Sequence, residues 1–227
     1  MRTVLFIVLI VGLAGALCAD DAKPAGETLL AEKLDGWVEE QHDFFKKKHP
    51  DTTTWSIKDG VTHCDGSQGN CGFLRYEKAL CDFRLTLEYK VAKGCNSGIG
   101  FRAAIPYTTL NPNTLPSNVG YEFQIMDDAG KPADKTGSGA LYNRIAPIEN
   151  AAKTAGEWNT LELECRGQRF TAKLNGKTVQ NVDLSMIEGS KHPTCGFLSL
   201  QNHGGDAEFR AIRLIEIHDE AADAKTK

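Results

Sequence analysis

Three short segments of this 227-residue chain place acids, amides and a histidine at alternate positions, as on one face of a β-strand. They read NSGIGFR, YEFQIMDD and FLSLQNHG. If the apolar positions pack inward, the outward faces carry Arg102, Glu122, Gln124, Gln201 and His203. Between these polar residues lie only glycines and a serine, which leave room above the sheet. A polar ring such as a sugar could lie against that surface.

The ionisable members of this set indicate proton-transfer chemistry, and each also has a simpler interpretation. His203 could exchange a proton near neutral pH, although a histidine on an exposed strand is more often only solvated. Glu122 could act as a base, or it could form a cross-strand ion pair with Arg102. Both alternatives remain open from the residues alone.

The elements that must position these residues are strands. Strict alternation in DFRLTLEYKV and an NG turn after RFTAKL are typical of antiparallel hairpins. We count about ten short strands and one interrupted helical stretch, ETLLAEKLDGWVEEQHDFFKKK, with Gly36 inside it. The sequence therefore predicts an all-β fold of two packed antiparallel sheets, a sandwich or jelly roll. The loop at 105–120, rich in Pro and Asn, is long enough to be functional.

The ends of the chain predict export. Residues 1–18 have the apolar core and small-residue end of a signal peptide, and no later apolar run approaches transmembrane length. We expect one domain over 28–218 and a disordered tail over 219–227. The formal net charge of −4 gives no sign of a nucleic-acid partner. A secreted or periplasmic location follows as an expectation.

The cysteines are compatible with export. Of seven in the chain, six remain once a leader containing Cys18 is removed, and an even number favours disulfides. Cys64 with Cys71 is the easiest pair to imagine, although the alternative of several buried free thiols stays open. Their spacing matches no zinc motif.

A longer series of motifs resembles a known family. NSGIGFR, GYEFQIMDD, TGSGALYNRIAP, GEWNTLELECRGQRFTAKLNGKTV and GFLSLQNHGGDAEFRAIRLIEI, together with LDGWVEEQ and WSIKDGVTHCDG, are similar in order to the 3-keto-glucoside lyase and 3-keto-disaccharide hydrolase domain. The similarity runs from Leu34 to Ile217. It implies a concanavalin-like jelly roll whose concave sheet meets a saccharide already oxidised at C3 by a separate dehydrogenase.

The resemblance also implies a mechanism. A ketone at C3 acidifies the C2 hydrogen, so that a base can remove it and the C1 substituent can leave by β-elimination, with water then adding to the glucal. We assign proton transfer to His203 or Glu122 and enolate stabilisation to Arg102. Asn96, Gln124 and Gln201 would bind hydroxyls.

Further residues complete the predicted site. Tyr142 would wall the pocket, and Asp127 and Asp128 would form a rim that binds sugar hydroxyls or, alternatively, a divalent ion. No cofactor is required by these residues, and a metal requirement is left open. Trp37, Trp55 and Trp158 are interpreted as core residues rather than sugar platforms. The competing function is a non-catalytic carbohydrate-binding module on the same fold.

Overall fold

In the computed structural model of the chain, alternating side chains build two antiparallel sheets that face each other. The structure describes residues 27–28, 33–67, 69, 72–103, 120–189 and 193–218. The strands are β1 (Glu27–Thr28), β2 (Trp37–Gln41), β3 (Trp55–Lys58), β4 (Val61–Cys64), β5 (Gly72–Leu80), β6 (Phe83–Val91), β7 (Asn96–Ala103), β8 (Tyr121–Met126), β9 (Asn159–Arg166), β10 (Arg169–Leu174), β11 (Lys177–Asp183), β12 (Gly196–Asn202) and β13 (Ala207–Glu216). A helix, α1 (Asp43–Lys48), and a 3₁₀ turn at Leu184–Met186 complete the described elements.

The two sheets differ in size. The larger has the order β11-β10-β9-β6-β13-β4-β3, with β1 paired to β13 beside that path. The smaller has the order β2-β5-β12-β7-β8 and contains all three strands singled out from the sequence. This arrangement confirms the predicted all-β fold of two antiparallel sheets, a concanavalin-like jelly-roll sandwich.

The core lies between the sheets and consists of the inward half of each alternating pattern. Phe101 of the small sheet stacks on Phe170 of the large sheet, with ring centroids 4.8 Å apart. Trp37 and Trp55 are buried in this core, as predicted. Trp158 is different, because it is only partly buried and carries the Arg210 guanidinium 3.9 Å above its ring.

The predicted helical stretch is mostly not a helix. Gly36 has φ +79°, which a left-handed turn requires, and the chain then continues as strand β2 with Trp37 opposite Tyr76. Among the described residues of this stretch, only Asp43–Lys48 are helical. The pairing of β2 with β5 outweighs the helix propensity of the glutamates in β2, because the strand buries Trp37 against the core.

The described cysteines include both a disulfide and buried free thiols, the two alternatives that the sequence left open. Cys81 and Cys195 form a disulfide that joins the β5–β6 turn to the start of β12, across 114 residues of sequence. Cys95 and Cys165 are buried thiols, and burial raises the pKa of each to about 12. The predicted Cys64–Cys71 pair stays a prediction, because Cys71 lies outside the described residues.

Several sequence expectations fall on parts of the chain that are not described. These are the signal peptide at 1–18, the tail at 219–227 and almost all of the 105–120 loop. Within the described ranges, no helix has the length and apolar character needed to cross a membrane.

Candidate active site

The candidate site lies on the outer face of the small sheet, where β8, β7 and β12 run side by side. Glu122 is directly opposite Gly100, and Gly100 is directly opposite Ser199. Gln124 is opposite Gly98 in the next row. Directly opposed residues share one face of a sheet, so the acid and the amide lie over a floor of glycine and serine.

Glu122 is the most perturbed ionisable group of this face. Its side chain is 3% exposed, and it accepts a hydrogen bond from the Gln201 side chain. Burial raises the pKa of this carboxyl to about 8, against the smaller opposing effect of the Gln201 hydrogen bond. Glu122 can therefore both accept and release a proton near neutral pH, as a general base or acid must.

Gly98 makes room for this carboxylate. A Cβ built on Gly98 would lie 2.6 Å from Oε1 of Glu122, closer than any stable contact between those atoms. The Glu122 side chain thus leans across the strand, from its place opposite Gly100 to a position over Gly98. Gly98 is not among the glycines with positive φ, so a side chain at this position would conflict with the Glu122 carboxylate rather than with its own backbone.

A chain of hydrogen bonds connects Gln124 to His203. Nε2 of Gln124 donates to Oδ1 of Asn96 at 2.9 Å, so the amide nitrogen of Asn96 faces the imidazole. Nδ2 of Asn96 lies 2.7 Å from Nδ1 of His203. Backbone hydrogen bonds between Asn96 and Gly204 hold the two strand ends together.

These hydrogen bonds determine the tautomer of the His203 imidazole. An amide NH₂ group can only donate, so Nδ1 of His203 must accept, and the ring proton of the neutral form resides on Nε2. Desolvation lowers the pKa of His203, which favours that neutral form. His203 is exposed at the edge of the site, where its Nε2–H can donate to a ligand.

Several buried polar atoms of this face have no protein partner among the described residues. They are Oε1 of Gln124, Oε1 of Gln201 and Oγ of Ser199. The three residues are at most 5% exposed. A buried polar atom without a partner costs about 1–3 kcal/mol, so atoms clustered in this way indicate a site that binds hydrogen-bonding groups of a ligand.

Tyr142 borders the site beyond β8. Its backbone amide donates to the carbonyl of Glu122 at 2.9 Å, and the neighbouring Leu141 pairs with Phe123 and is buried in the core. Tyr142 itself is half-buried, in the turn that runs from Leu141 to Ile145. Its role as a wall of the pocket stays a prediction.

Arg102 does not lie beside Glu122, so that placement was wrong. Arg102 has φ +53°, which interrupts the alternation of β7, and its side chain is fully buried. Its guanidinium donates to the carbonyls of Cys81 and Gly167, at 2.9 and 2.7 Å, and to Oδ1 of Asp82 at 3.2 Å. These contacts tie together two turns and the disulfide at one end of the sandwich, away from the polar face.

Asp127 and Asp128 organise loops. Oδ2 of Asp127 accepts from the amide of Gly94, and Oδ2 of Asp128 accepts from the amide of Ser138, both at 2.9 Å. The described part of the chain contains no group of three or more acids, histidines or cysteines placed to hold a metal ion. One carboxylate oxygen of each acid is thus engaged by a loop amide, and the rim role stays a prediction.

The same face also carries a cation, Arg75, that the sequence did not indicate. Arg75 of β5 is directly opposite Ser199, and its Nε donates to Oε1 of Glu40 in β2 at 2.6 Å. No motif marks these two residues, because Arg75 is followed by another partly polar run and Glu40 lies in the stretch interpreted as helix. Both lie on the face of their strands opposite to the buried Leu74 and Trp37, and the pairing of β2 with β5 is what reveals this.

Comparison with known proteins relates the chain to carbohydrate-active families. Residues 27–215 match the sequence profile described as the 3-keto-alpha-glucoside-1,2-lyase-like domain. A 3-keto-disaccharide hydrolase of Bacteroides thetaiotaomicron is 27% identical over 200 residues, which cover 70% of this chain and 69% of that protein.

Solved structures share the fold. A candidate glycosyl hydrolase from Parabacteroides distasonis is 25% identical with a TM-score of 0.66, over 86% of this chain and all of that one. The carbohydrate-binding module CBM66 from Bacillus subtilis is 15% identical with a TM-score of 0.50, over 79% of this chain and 94% of that one. The second likeness concerns the fold alone.

Proposed function

Because the chain belongs to the 3-keto-alpha-glucoside-1,2-lyase-like family, we propose that it cleaves 3-keto-glucosides by removing the C2 proton and eliminating the C1 substituent. The hydrolase relative and the structural neighbour support a carbohydrate-active enzyme. The observation that supports proton removal at C2 is the buried Glu122, whose pKa of about 8 suits a base that works near neutral pH.

The roles follow from the protonation states. Glu122 in its carboxylate form takes the proton from C2, and the electron pair moves into the C2–C3 bond as the C3 oxygen becomes an enolate. The enolate then restores the C3 carbonyl, a C1–C2 double bond forms, and the C1–O bond breaks. The proton held by Glu122 goes to the departing oxygen, so the proton balance closes on one residue.

His203 then acts as a donor rather than a base. Its Nε2–H is the only N–H group of the neutral ring when Nδ1 accepts from Asn96. A neutral imidazole can stabilise a developing enolate by hydrogen bonding, which is the role first assigned to Arg102. Gln124 and Gln201 supply further partners for the sugar hydroxyls.

The setting of the reaction is part of the proposal. The ketone at C3 must come from a separate dehydrogenase, because neither Glu122 nor His203 can oxidise an alcohol. Water addition to the 2-hydroxyglucal product would complete a net hydrolysis. We propose that the protein works outside the cytoplasm, which the leader-like residues 1–18 and the Cys81–Cys195 disulfide support.

Turnover of a 3-keto-glucoside tests the proposal. Purified protein, with and without EDTA, should consume the substrate and release an enone that absorbs in the ultraviolet. Glu122→Gln should lower kcat by about 10²–10⁴-fold, the contribution of a general base. Failure to convert any 3-keto-glucoside, with retained binding of the unoxidised glycan, would leave the carbohydrate-binding module as the function.

A further inference from the structure

We propose that Arg75, Glu40 and Ser199 form a second subsite, next to Glu122, that binds a hydroxylated leaving group such as a second sugar ring. The inference rests on the proposed function for the assignment of the first subsite. The observations that carry it are a continuous row of residues across the sheet and two buried oxygens that have no partner.

The row runs across four neighbouring strands. Glu122, Gly100, Ser199 and Arg75 are each directly opposite the next, on β8, β7, β12 and β5. Three strand intervals of about 4.8 Å separate the first from the last, or about 14 Å in all. This distance exceeds the width of one pyranose ring, and the residues between the two ends are small. A ligand that occupies the whole row therefore consists of more than one ring.

Arg75 is held in a fixed position at the far end of the row. Its Nε donates to Oε1 of Glu40 at 2.6 Å, and its Nη1 donates to the carbonyl of Tyr76 at 3.2 Å. The guanidinium also stacks on Phe197, with Cζ 4.4 Å from the ring centroid. A planar donor group fixed on three sides is prepared for a ligand, because little side-chain entropy remains to be lost.

The unpartnered oxygens show which groups the ligand must offer. Oε2 of Glu40 and Oγ of Ser199 are buried and have no hydrogen-bond partner among the described residues. The Glu40 side chain is 7% exposed and the Ser199 side chain is fully buried. A buried carboxylate oxygen beside a bound arginine needs a donor, which a ligand hydroxyl supplies.

The charges of the pair select among leaving groups. A sugar hydroxyl both donates and accepts, so neighbouring hydroxyls can bind Glu40 and Arg75 together. An apolar leaving group would cover Oε2 of Glu40 without giving it a partner, and an anionic group would be repelled by that oxygen. The subsite should therefore favour a 3-keto disaccharide over a 3-keto-glucoside with an aromatic leaving group.

Two substrates of equal anomeric configuration test the proposal: a disaccharide whose non-reducing glucose carries the C3 ketone, and 4-nitrophenyl 3-keto-glucoside. We expect Glu40→Gln to lower the ratio of their kcat/KM values, disaccharide over nitrophenyl, at least tenfold. Ser199→Ala, a smaller change that cannot disturb the ion pair, should lower the ratio in the same direction. The matched control is Glu77→Gln, an exposed glutamate of the same strand β5.

The outcomes separate the two proposals. A ratio that is the same in wild type, Glu40→Gln and Ser199→Ala would overturn the subsite while leaving the lyase activity in place. If neither 3-keto substrate reacts, the proposed function fails, and calorimetry with the unoxidised disaccharide then decides about the subsite. Weaker binding by Glu40→Gln than by wild type would support it, and equal binding would overturn it.

Discussion

Replacing Glu122 by glutamine should make the protein more stable in alkaline solution. Burial raises the pKa of Glu122 from its ordinary value of 4.5 to about 8, so the folded protein holds a proton there that the unfolded chain has released. Between those two pH values the folded state binds more protons than the unfolded state. The free energy of unfolding contributed by this group is therefore fully present below pH 4.5 and is lost as pH rises through about 8.

The expected magnitude follows from that window. Each pH unit inside it costs about 1.4 kcal/mol, so the whole window from 4.5 to about 8 amounts to on the order of 5 kcal/mol. Glutamine has nearly the same shape and no charge to desolvate, so Glu122→Gln avoids this loss. For a chain of this length, 1 kcal/mol corresponds to about 2–4 °C in Tm, which gives a difference on the order of 10 °C.

Thermal and urea unfolding of both proteins at pH 5 and pH 9 measure this difference. The difference in unfolding free energy, variant minus wild type, cancels the groups that titrate equally in both. It should increase by several kcal/mol from pH 5 to pH 9. Glu162→Gln is the matched control, because that glutamate is 53% exposed on the large sheet, and its difference should stay within about 0.5 kcal/mol.

A decrease in this free-energy difference from pH 5 to pH 9 would refute the reasoning. If Glu122 were ionised and paired with a cation, as the sequence allowed for Arg102, its pKa would be depressed and the wild type would gain stability relative to the variant as pH rises. A difference that does not change with pH would likewise show that Glu122 is not desolvated.

Three other substitutions test the remaining parts of the site. Gly98→Ala should lower kcat/KM at least tenfold, because the new Cβ displaces the Glu122 carboxylate from Gln201. Steady-state kinetics of a variant with an unchanged Tm would show this loss, and unchanged kinetics would contradict the placement of Glu122. Arg102→Met should cost about 3–5 kcal/mol in urea unfolding and leave kcat within a few-fold at temperatures where the variant is folded, whereas a large loss of kcat would restore a catalytic role. Asn96→Asp should move the imidazole proton from Nε2 to Nδ1 and lower kcat by about 10²–10³, with ¹⁵N chemical shifts reporting the tautomer; retained activity in that tautomer would contradict the donor role.

Alternation along single strands made most of the sheet predictable from the sequence. The pattern around Glu122 and Gln124 placed both residues on the outer face of β8, and the structure places Gln201 of β12 on the same face. A period of two determines which face a residue occupies as long as the strand is regular. The fold class followed from the same periodicity.

Two predictions failed, each for a different physical reason. The positive φ of Arg102 turns its side chain toward the core, and nothing in the letters NSGIGFRA marks the change. The strand β2 was hidden by glutamates that favour a helix in isolation, and with it the Glu40–Arg75 pair was missed. Long-range pairing with β5 decides that segment, and no local pattern encodes it.

The rate with deuterium at C2 of a 3-keto-glucoside tests the central claim most directly. If Glu122 removes the C2 proton in the chemical step, single-turnover conversion of the C2-deuterated substrate by wild type should be several-fold slower than that of the protiated substrate. Both rates should increase with pH up to about 8 as Glu122 ionises, while the ratio between them stays the same. A rate unaffected by deuterium at C2, with a product that still carries that deuterium, would contradict elimination and the role given to Glu122.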